Sequence, residues 1–115
     1  MNNQAQERRV DTRKTSNERL FIQIVFSNDP DLVGTTLSCK AKDVSSSGMR
    51  IECSSPIPEG CKIDIWIDVL DRPGKFFLTS DVMWSKEIDG VHCELGLELN
   101  DGSATDIAAW REVHG

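Results

Sequence analysis

Two polar segments of the sequence carry side chains at spacings that suit the binding of an anion. The first, ERRVDTRK at residues 7–14, holds Arg8, Arg9 and Arg13 in a stretch with no apolar face. The planar guanidinium group donates in pairs to phosphate oxygens and also to the O6/N7 edge of guanine. Because neighbouring like charges repel one another, we expect this segment either to stay in solvent or to gather around an anion.

The second segment is KDVSSSG at residues 42–48, about thirty residues further on. By itself it is typical of a turn, in which Asp and Ser side chains cap backbone groups and Gly48 supplies a positive φ or a close approach. The Asp43 carboxylate is an acceptor, however, and could take hydrogen bonds from the N1–H or N2–H₂ of a guanine. Turn and ligand contact therefore both remain open at this stage.

The elements that must position these segments are predicted to be β-strands. Apolar residues alternate with polar ones in six short stretches joined by turn residues, at 20–26, 36–42, 48–53, 61–70, 75–84 and 91–99. In the first stretch, Leu20, Ile22, Ile24 and Phe26 are expected to share the buried face. One buried and one wet face predict an antiparallel barrel or sandwich around a single core.

The last element is predicted to be a helix. In SATDIAAWREV, residues 103–113, Ile107, Trp110 and Val113 recur at helical spacing, and Ser103 and Asp106 stand at capping-box spacing. We expect this helix to close one open end of the barrel. The domain division is then a flexible N-terminal arm at 1–18 and the barrel with its helix at 19–115.

Charge and composition exclude several classes of protein. The net charge is −6, and residues 1–19 carry five basic and three acidic side chains, so the remainder carries −8. An acidic body disfavours DNA, RNA and anionic membranes, whereas a short cationic arm suits one small anionic ligand. No apolar run reaches the roughly 20 residues of a membrane span, and the N-terminus has no signal segment, so we expect a cytoplasmic protein without membrane insertion.

The four cysteines form no C-x-x-C pair and have no histidine at zinc-ligand spacing. We therefore expect four free thiols that pack as small apolar groups, and no metal site. No nucleophile, base and orienting group can be assembled either, which disfavours an enzyme.

Together the two polar segments resemble the signature of the PilZ domain family. Arg9-x-x-x-Arg13 is followed, after one β-hairpin, by Asp43-x-Ser45-x-x-Gly48. The resemblance extends to the VMW and LGLEL strands and to the closing helix, and so covers nearly the whole chain. It implies a six-stranded antiparallel β-barrel of the split-barrel type, closed by a C-terminal α-helix.

The resemblance also implies a receptor for the bacterial messenger cyclic di-GMP. Arg9 and Arg13 would clamp guanine and phosphate, while Asp43 and Ser45 would hold a guanine from the barrel surface. Gly48 would keep the turn open for that approach.

Two further residues are assigned with the motif. Arg8 would add a phosphate contact, and Trp84 matches a position beside the bound nucleotide, where an indole can stack on a purine. The alternative for Trp84 is packing between barrel and helix. Trp66, on the polar face of its strand, is interpreted either as a partner or dimer contact or as an isolated exposed aromatic.

The predicted function is therefore a second-messenger receptor that signals to a separate effector protein in motility, biofilm or exopolysaccharide control. The ligand is cyclic di-GMP, with no other cofactor. The alternative is an interaction adaptor on the same fold that binds no nucleotide. Loss of Arg9, Arg13 or Asp43 would indicate the adaptor, and none of the three is lost. A third hypothesis, an oligonucleotide-binding barrel, is disfavoured by the acidic body.

Overall fold

The alternating segments form strands that close into a barrel. The computed structural model describes residues 14–15, 18–69 and 73–114. Within these ranges the elements are β1 Lys14–Thr15, β2 Arg19–Phe26, a 3-10 turn at Pro30–Leu32, β3 Thr36–Val44, β4 Gly48–Cys53, β5 Lys62–Asp68, β6 Lys75–Glu87, β7 Cys93–Leu99 and helix α1 Ile107–His114.

All strand pairings are antiparallel, in the order β1-β3-β2-β5-β6-β7-β4. The pairing of β3 with β4 joins the two ends of this order, so β2 to β7 form a closed barrel of six strands. The short β1 pairs with the end of β3 outside that circle. The predicted fold, a six-stranded antiparallel barrel with a C-terminal helix, is confirmed.

The core lies inside the barrel and is lined by alternate residues of each strand. Met49, Ile51 and Cys53 of β4 are buried, as are the inward residues of β5. Trp110 of α1, 1% exposed, packs edge-on against Phe76 of β6, with the ring centroids 6.1 Å apart. The helix therefore closes one end of the barrel by burying its largest apolar side chain.

Two local predictions are wrong. Phe26 is 49% exposed, because the register between β2 and β5 shifts between Ile24 and Phe26 and breaks the alternation. The helix begins at Ile107, so Ser103 does not cap it. The Asp106 carboxylate instead accepts a hydrogen bond from the Phe77 amide of β6 at 2.8 Å, which ties the start of the helix to the barrel.

Part of the predicted N-terminal arm lies outside the described residues. Arg8, Arg9 and Arg13 fall there, and so does the prediction that the arm is flexible in the free protein. Of the arm, the structure describes residues 14–15 and 18. Lys14 and Thr15 form β1. In the described ranges, no helix has the length and apolar content needed to cross a bilayer.

Candidate ligand-binding groove

The turn between β3 and β4 is held by the Ser45 side chain. The Ser45 hydroxyl donates to the Gly48 carbonyl and accepts from the Gly48 amide, both at 3.1 Å, and the Ser45 carbonyl accepts from the Trp110 indole at 2.8 Å. Ser45 is fully buried. It therefore fixes the turn against the helix, and its predicted contact with a guanine stays a prediction.

A β-bulge sets the direction of the Asp43 side chain. Ala41 pairs with Ile51 and Asp43 pairs with Arg50, so Lys42 is an extra residue in β3. Strict alternation from Cys39 would turn Asp43 towards the core, but the extra residue turns it to the outer surface and buries Val44 instead. Asp43 thus reaches solvent because the pairing of β3 with β4 is irregular.

A second bulge acts in the same way on Trp84. The register of β6 with β7 shifts between Val82 and Trp84, and Met83 is the extra residue. Both Met83 and Trp84 face outward, 54% and 40% exposed. Trp84 lies over Gly96 of β7, whereas the aromatic contact between barrel and helix is made by Phe76.

The two bulges border one groove with a volume of about 410 Å³. We call it the Asp43–Trp84 groove. Its lining includes Asp43, Gly48, Arg50, Met83, Trp84 and Gly96. Three of the predicted site residues, Asp43, Gly48 and Trp84, are therefore brought together, although the first two are more than thirty residues from the third.

Sequence reasoning missed Arg50. Its Nε donates to Asp43 Oδ2 at 2.8 Å, and its Nη1 donates to Glu94 Oε2 at 2.7 Å. The hydrogen bond to Asp43 raises the pKa of Arg50, and the charges of Asp43 and Glu94 act in the same direction against a smaller opposing effect of burial. Arg50 therefore holds the Asp43 carboxylate at the groove wall. The predicted strand pattern placed Arg50 outward but gave it no partner.

Sequence reasoning also missed Gly96. A Cβ atom at this position would overlap the five-membered ring of the Trp84 indole, so only glycine lets the indole lie flat on β7. A glycine inside a strand does mark a close approach of another group. The sequence contained that signal, but not the identity of the approaching residue.

The described lining offers little positive charge for a phosphate. Arg50 is already bonded to two carboxylates, and Glu98 is a further acidic residue of the groove. A phosphate ligand would need cations in addition to those of this lining. Among the described residues there is no group of three His, Cys, Asp or Glu side chains that could hold a metal ion.

The described part of the N-terminal segment pairs with β3 beside this groove. Lys14 pairs with Val44, and Thr15 pairs with Asp43. Arg13 directly precedes Lys14 in the sequence. The described part of the arm therefore lies beside Asp43, the first residue of the second motif.

Comparison with known proteins agrees with this architecture. A family model of the PilZ domain matches residues 6–112. A search of curated proteins returned no match.

The solved structures with a similar fold include the following two. One is the inhibitor of motility MotI/DgrA from Bacillus subtilis, with a TM-score of 0.66 and 13% identity, covering 93% of this chain and 49% of that one. The chain thus spans about half the length of the Bacillus protein. The other is the PilZ domain of YcgR from Escherichia coli, solved with c-di-GMP, with a TM-score of 0.65 and 18% identity, covering 93% of this chain and 88% of that one. At these identities the likeness shows the fold alone.

Proposed function

The chain belongs to the PilZ domain family, and we propose that it is a cytoplasmic receptor for cyclic di-GMP that signals to a separate effector protein. PilZ domains are receptors and adaptors rather than enzymes, so the proposal assigns no reaction to the chain. The observation that carries it is the pairing of β1 with Asp43 and Val44, which joins the segment of the two arginines to the wall of the Asp43–Trp84 groove.

The groove and the arm supply complementary groups for this ligand. Cyclic di-GMP carries two guanines and two phosphates, and a carboxylate can accept from several donors at once. Asp43 can therefore receive a guanine N–H while it remains bonded to Arg50. Trp84 offers an indole face for stacking, and Gly48 is part of the lining of the same groove.

The phosphates are assigned to Arg9 and Arg13, with Arg8 as a further contact. The described lining holds one arginine, Arg50, and two carboxylates already use it. We therefore assign the cations to the arm, whose guanidinium groups suit phosphate and guanine edges alike. Ser45 contributes by holding the turn, and a direct contact with the base remains part of the proposal.

Calorimetric titration with cyclic di-GMP tests the proposal, with GTP as the control ligand. We expect much tighter binding of cyclic di-GMP, because only a ligand with two guanines and a phosphate ring occupies all the groups at once. Arg13→Ala should weaken binding about tenfold to a hundredfold, since each charge-assisted contact is worth roughly 1.5–3 kcal/mol. Arg19→Ala, which removes an arginine outside the motif, should leave the affinity unchanged.

No heat at high micromolar cyclic di-GMP, together with an unchanged melting temperature, would rule out the receptor and favour the adaptor. A second measurement addresses the arm itself. Amide exchange across residues 7–13, which precede the β1 pairing of Lys14, should slow when the ligand is added, because binding orders a segment that lacks apolar anchors. Amides that are already protected in the free protein would show that the arm is a fixed part of the fold.

The effector and its pathway are proposed only as a class. The similarity to an inhibitor of motility is a likeness of fold. The proposed output is accordingly control of motility, of biofilm or of exopolysaccharide, without a choice among the three. The domain division proposed with this function is the arm at 1–18, which carries the arginines, and the barrel at 19–115.

A further inference from the structure

Three of the four cysteines lie in one row across neighbouring strands. The register that pairs Lys40 with Glu52 puts Cys39 of β3 directly opposite Cys53 of β4. Cys53 in turn pairs with Cys93 of β7. All three are buried, at the end of the barrel away from the helix. The row therefore places a central thiol between two others.

The central thiol is in contact with one neighbour. The Sγ atoms of Cys39 and Cys53 are 2.7 Å apart, whereas the Sγ of Cys93 lies 3.1 Å from the Ser85 hydroxyl. Directly opposed residues of antiparallel strands have Cα atoms about 4.5–5.5 Å apart, within the roughly 4.4–6.8 Å that a disulfide accepts. A bond between Cys39 and Cys53 therefore needs no change in strand pairing.

We propose that Cys39 and Cys53 form a dithiol site that a low-molecular-weight disulfide oxidises to an intramolecular disulfide. One cysteine sulfur attacks the small disulfide, loses its proton and releases one small thiol, leaving a mixed disulfide. The other cysteine sulfur attacks the mixed disulfide, also loses its proton and releases the second small thiol. Two electrons pass from the cysteines to the small disulfide, and one Cys39–Cys53 bond is formed.

A surface groove lies beside the two cysteines, which are themselves buried. It has a volume of about 240 Å³ and is lined by the two cysteines together with Arg19, Lys40 and His92, among others. Arg19 and Lys40 are cationic and Glu52, which also lines the groove, is anionic, so the lining carries a net positive charge that attracts an anionic reagent such as oxidised glutathione.

Burial sets the rate of the first step. The hydrogen bond with Cys39 and the burial of the thiol raise the pKa of Cys53, so Cys53 stays protonated at neutral pH. Because the thiolate is the reactive form, we expect slow attack that waits for local opening of the barrel end. The second step is fast by comparison, since the two sulfurs are already in contact.

The test uses the purified chain and oxidised glutathione. After incubation the protein is denatured, its remaining thiols are alkylated, and the products are identified by mass spectrometry. We expect the number of alkylated cysteines to fall from four to two and a cross-linked peptide to join Cys39 to Cys53. Trypsin leaves Cys53 and Cys61 on one peptide, so Cys61→Ala serves both to assign the bond and as the matched buried control.

A thermal measurement gives an independent readout. The bond closes a short loop, residues 39–53, and should raise the melting temperature by about 5 °C or more, reversibly with reductant. Cys61→Ala should keep this shift, and Cys39→Ala should abolish it. Because the peptide assignment is made on the parent chain and on Cys61→Ala, it decides the matter even if Cys39→Ala does not fold. Four alkylated thiols, a bond from Cys53 to Cys93, or glutathione adducts without a cross-link would each overturn the proposal.

Discussion

The outer surface of the barrel differs between two sides. On the side of β5, which we call the regular side, β5 pairs with β6 without interruption from Lys62–Asp81 to Asp68–Lys75, and the register of β2 with β5 shifts only at the end of β2, between Ile24 and Phe26. On the side of the Asp43–Trp84 groove, β3 and β6 each carry one extra residue. The two sides are made of the same kind of strand and differ mainly in the continuity of pairing.

Continuous pairing lets neighbouring side chains satisfy one another. On the regular side, Lys62 bonds to Asp81 at 2.7 Å and Lys75 bonds to Asp68 at 3.0 Å, each across one strand pair. Trp66 pairs with Phe21 and Phe77, and its ring lies 5.4 Å from that of Phe77. Trp66 therefore has aromatic neighbours and is not the isolated aromatic that one interpretation of the sequence described.

Interrupted pairing has the opposite effect. Each bulge turns two consecutive side chains outward, Lys42 with Asp43 and Met83 with Trp84. The result is a concave surface that combines a carboxylate, an arginine and an indole. The comparison indicates that the bulges at Lys42 and Met83 distinguish the candidate binding side from the continuously paired surface between β5 and β6.

The largest expected effect, on the affinity for cyclic di-GMP, separates two variants in which the tryptophan of one side or the other is replaced by alanine. Trp84→Ala should weaken cyclic di-GMP binding by about 1–3 kcal/mol, the usual value of one base–aromatic stacking contact. Trp66→Ala should leave the affinity unchanged. Calorimetric titration of both variants measures the difference, and equal affinities for the two would remove Trp84 from the proposed contacts.

Gly96→Val is expected to have the second largest effect, on the free energy of unfolding. The new side chain would overlap the Trp84 indole and push it outward, at a cost of about 1–2 kcal/mol in the free energy of unfolding. In the Trp84→Ala background the same change should cost much less, because the overlapping group is gone. Urea denaturation of the parent, the two single variants and the double variant gives the coupling free energy between positions 84 and 96.

Thr79→Val, on the regular part of β6, is the control for Gly96→Val and should cost little. If the cost of Gly96→Val persists in full without Trp84, the glycine is needed for a reason other than the indole.

Arg50→Ala should have a smaller effect on stability. It removes two charge-assisted hydrogen bonds and leaves Asp43 and Glu94 without this shared cation. Because the Arg50 side chain is 39% exposed, solvent screening reduces the loss to about 1 kcal/mol. Lys62→Ala, which removes one exposed pair on the regular side, should cost about 0.5 kcal/mol or less. Denaturation curves at low salt that show equal losses would contradict the special role of Arg50.

The smallest effect is expected for Asp64→Asn on the regular side. Burial raises the pKa of Asp64 above its ordinary 3.8, so the folded state binds this proton more tightly than the unfolded state. The free energy of unfolding therefore falls as the pH rises from the unfolded-state pKa of Asp64 through its raised folded-state pKa. The variant lacks this loss and should be slightly more stable at neutral pH, within the roughly 0.5 kcal/mol of ordinary surface changes.

The sign of the pH dependence is the decisive part of the Asp64 prediction. Melting temperatures of parent and variant should coincide at about pH 3, where Asp64 is protonated, and separate at about pH 7. A variant that is less stable at neutral pH would mean that the Asp64 carboxylate makes a favourable contact.

Much of the fold could be predicted because each strand carries its own pattern. The alternation in β4 and β5 identified their buried residues, and the spacing of Ile107 and Trp110 identified the buried face of α1. These predictions depend on which side chains avoid water, and that pattern can be read within one segment of the chain. Phe26 failed the same test because its strand is irregular at that point.

The sequence by itself determined the residue types of the two motifs, the inward faces of the strands and the helix that closes the barrel. The tertiary structure decided that Asp43 and Trp84 face outward into one groove, that Arg50 bridges to Glu94, and that Cys39 meets Cys53. A bulge is a mismatch between two strands, and a cross-strand contact depends on their register. Neither is encoded in one strand alone, because both arise only when distant segments pair to close the barrel.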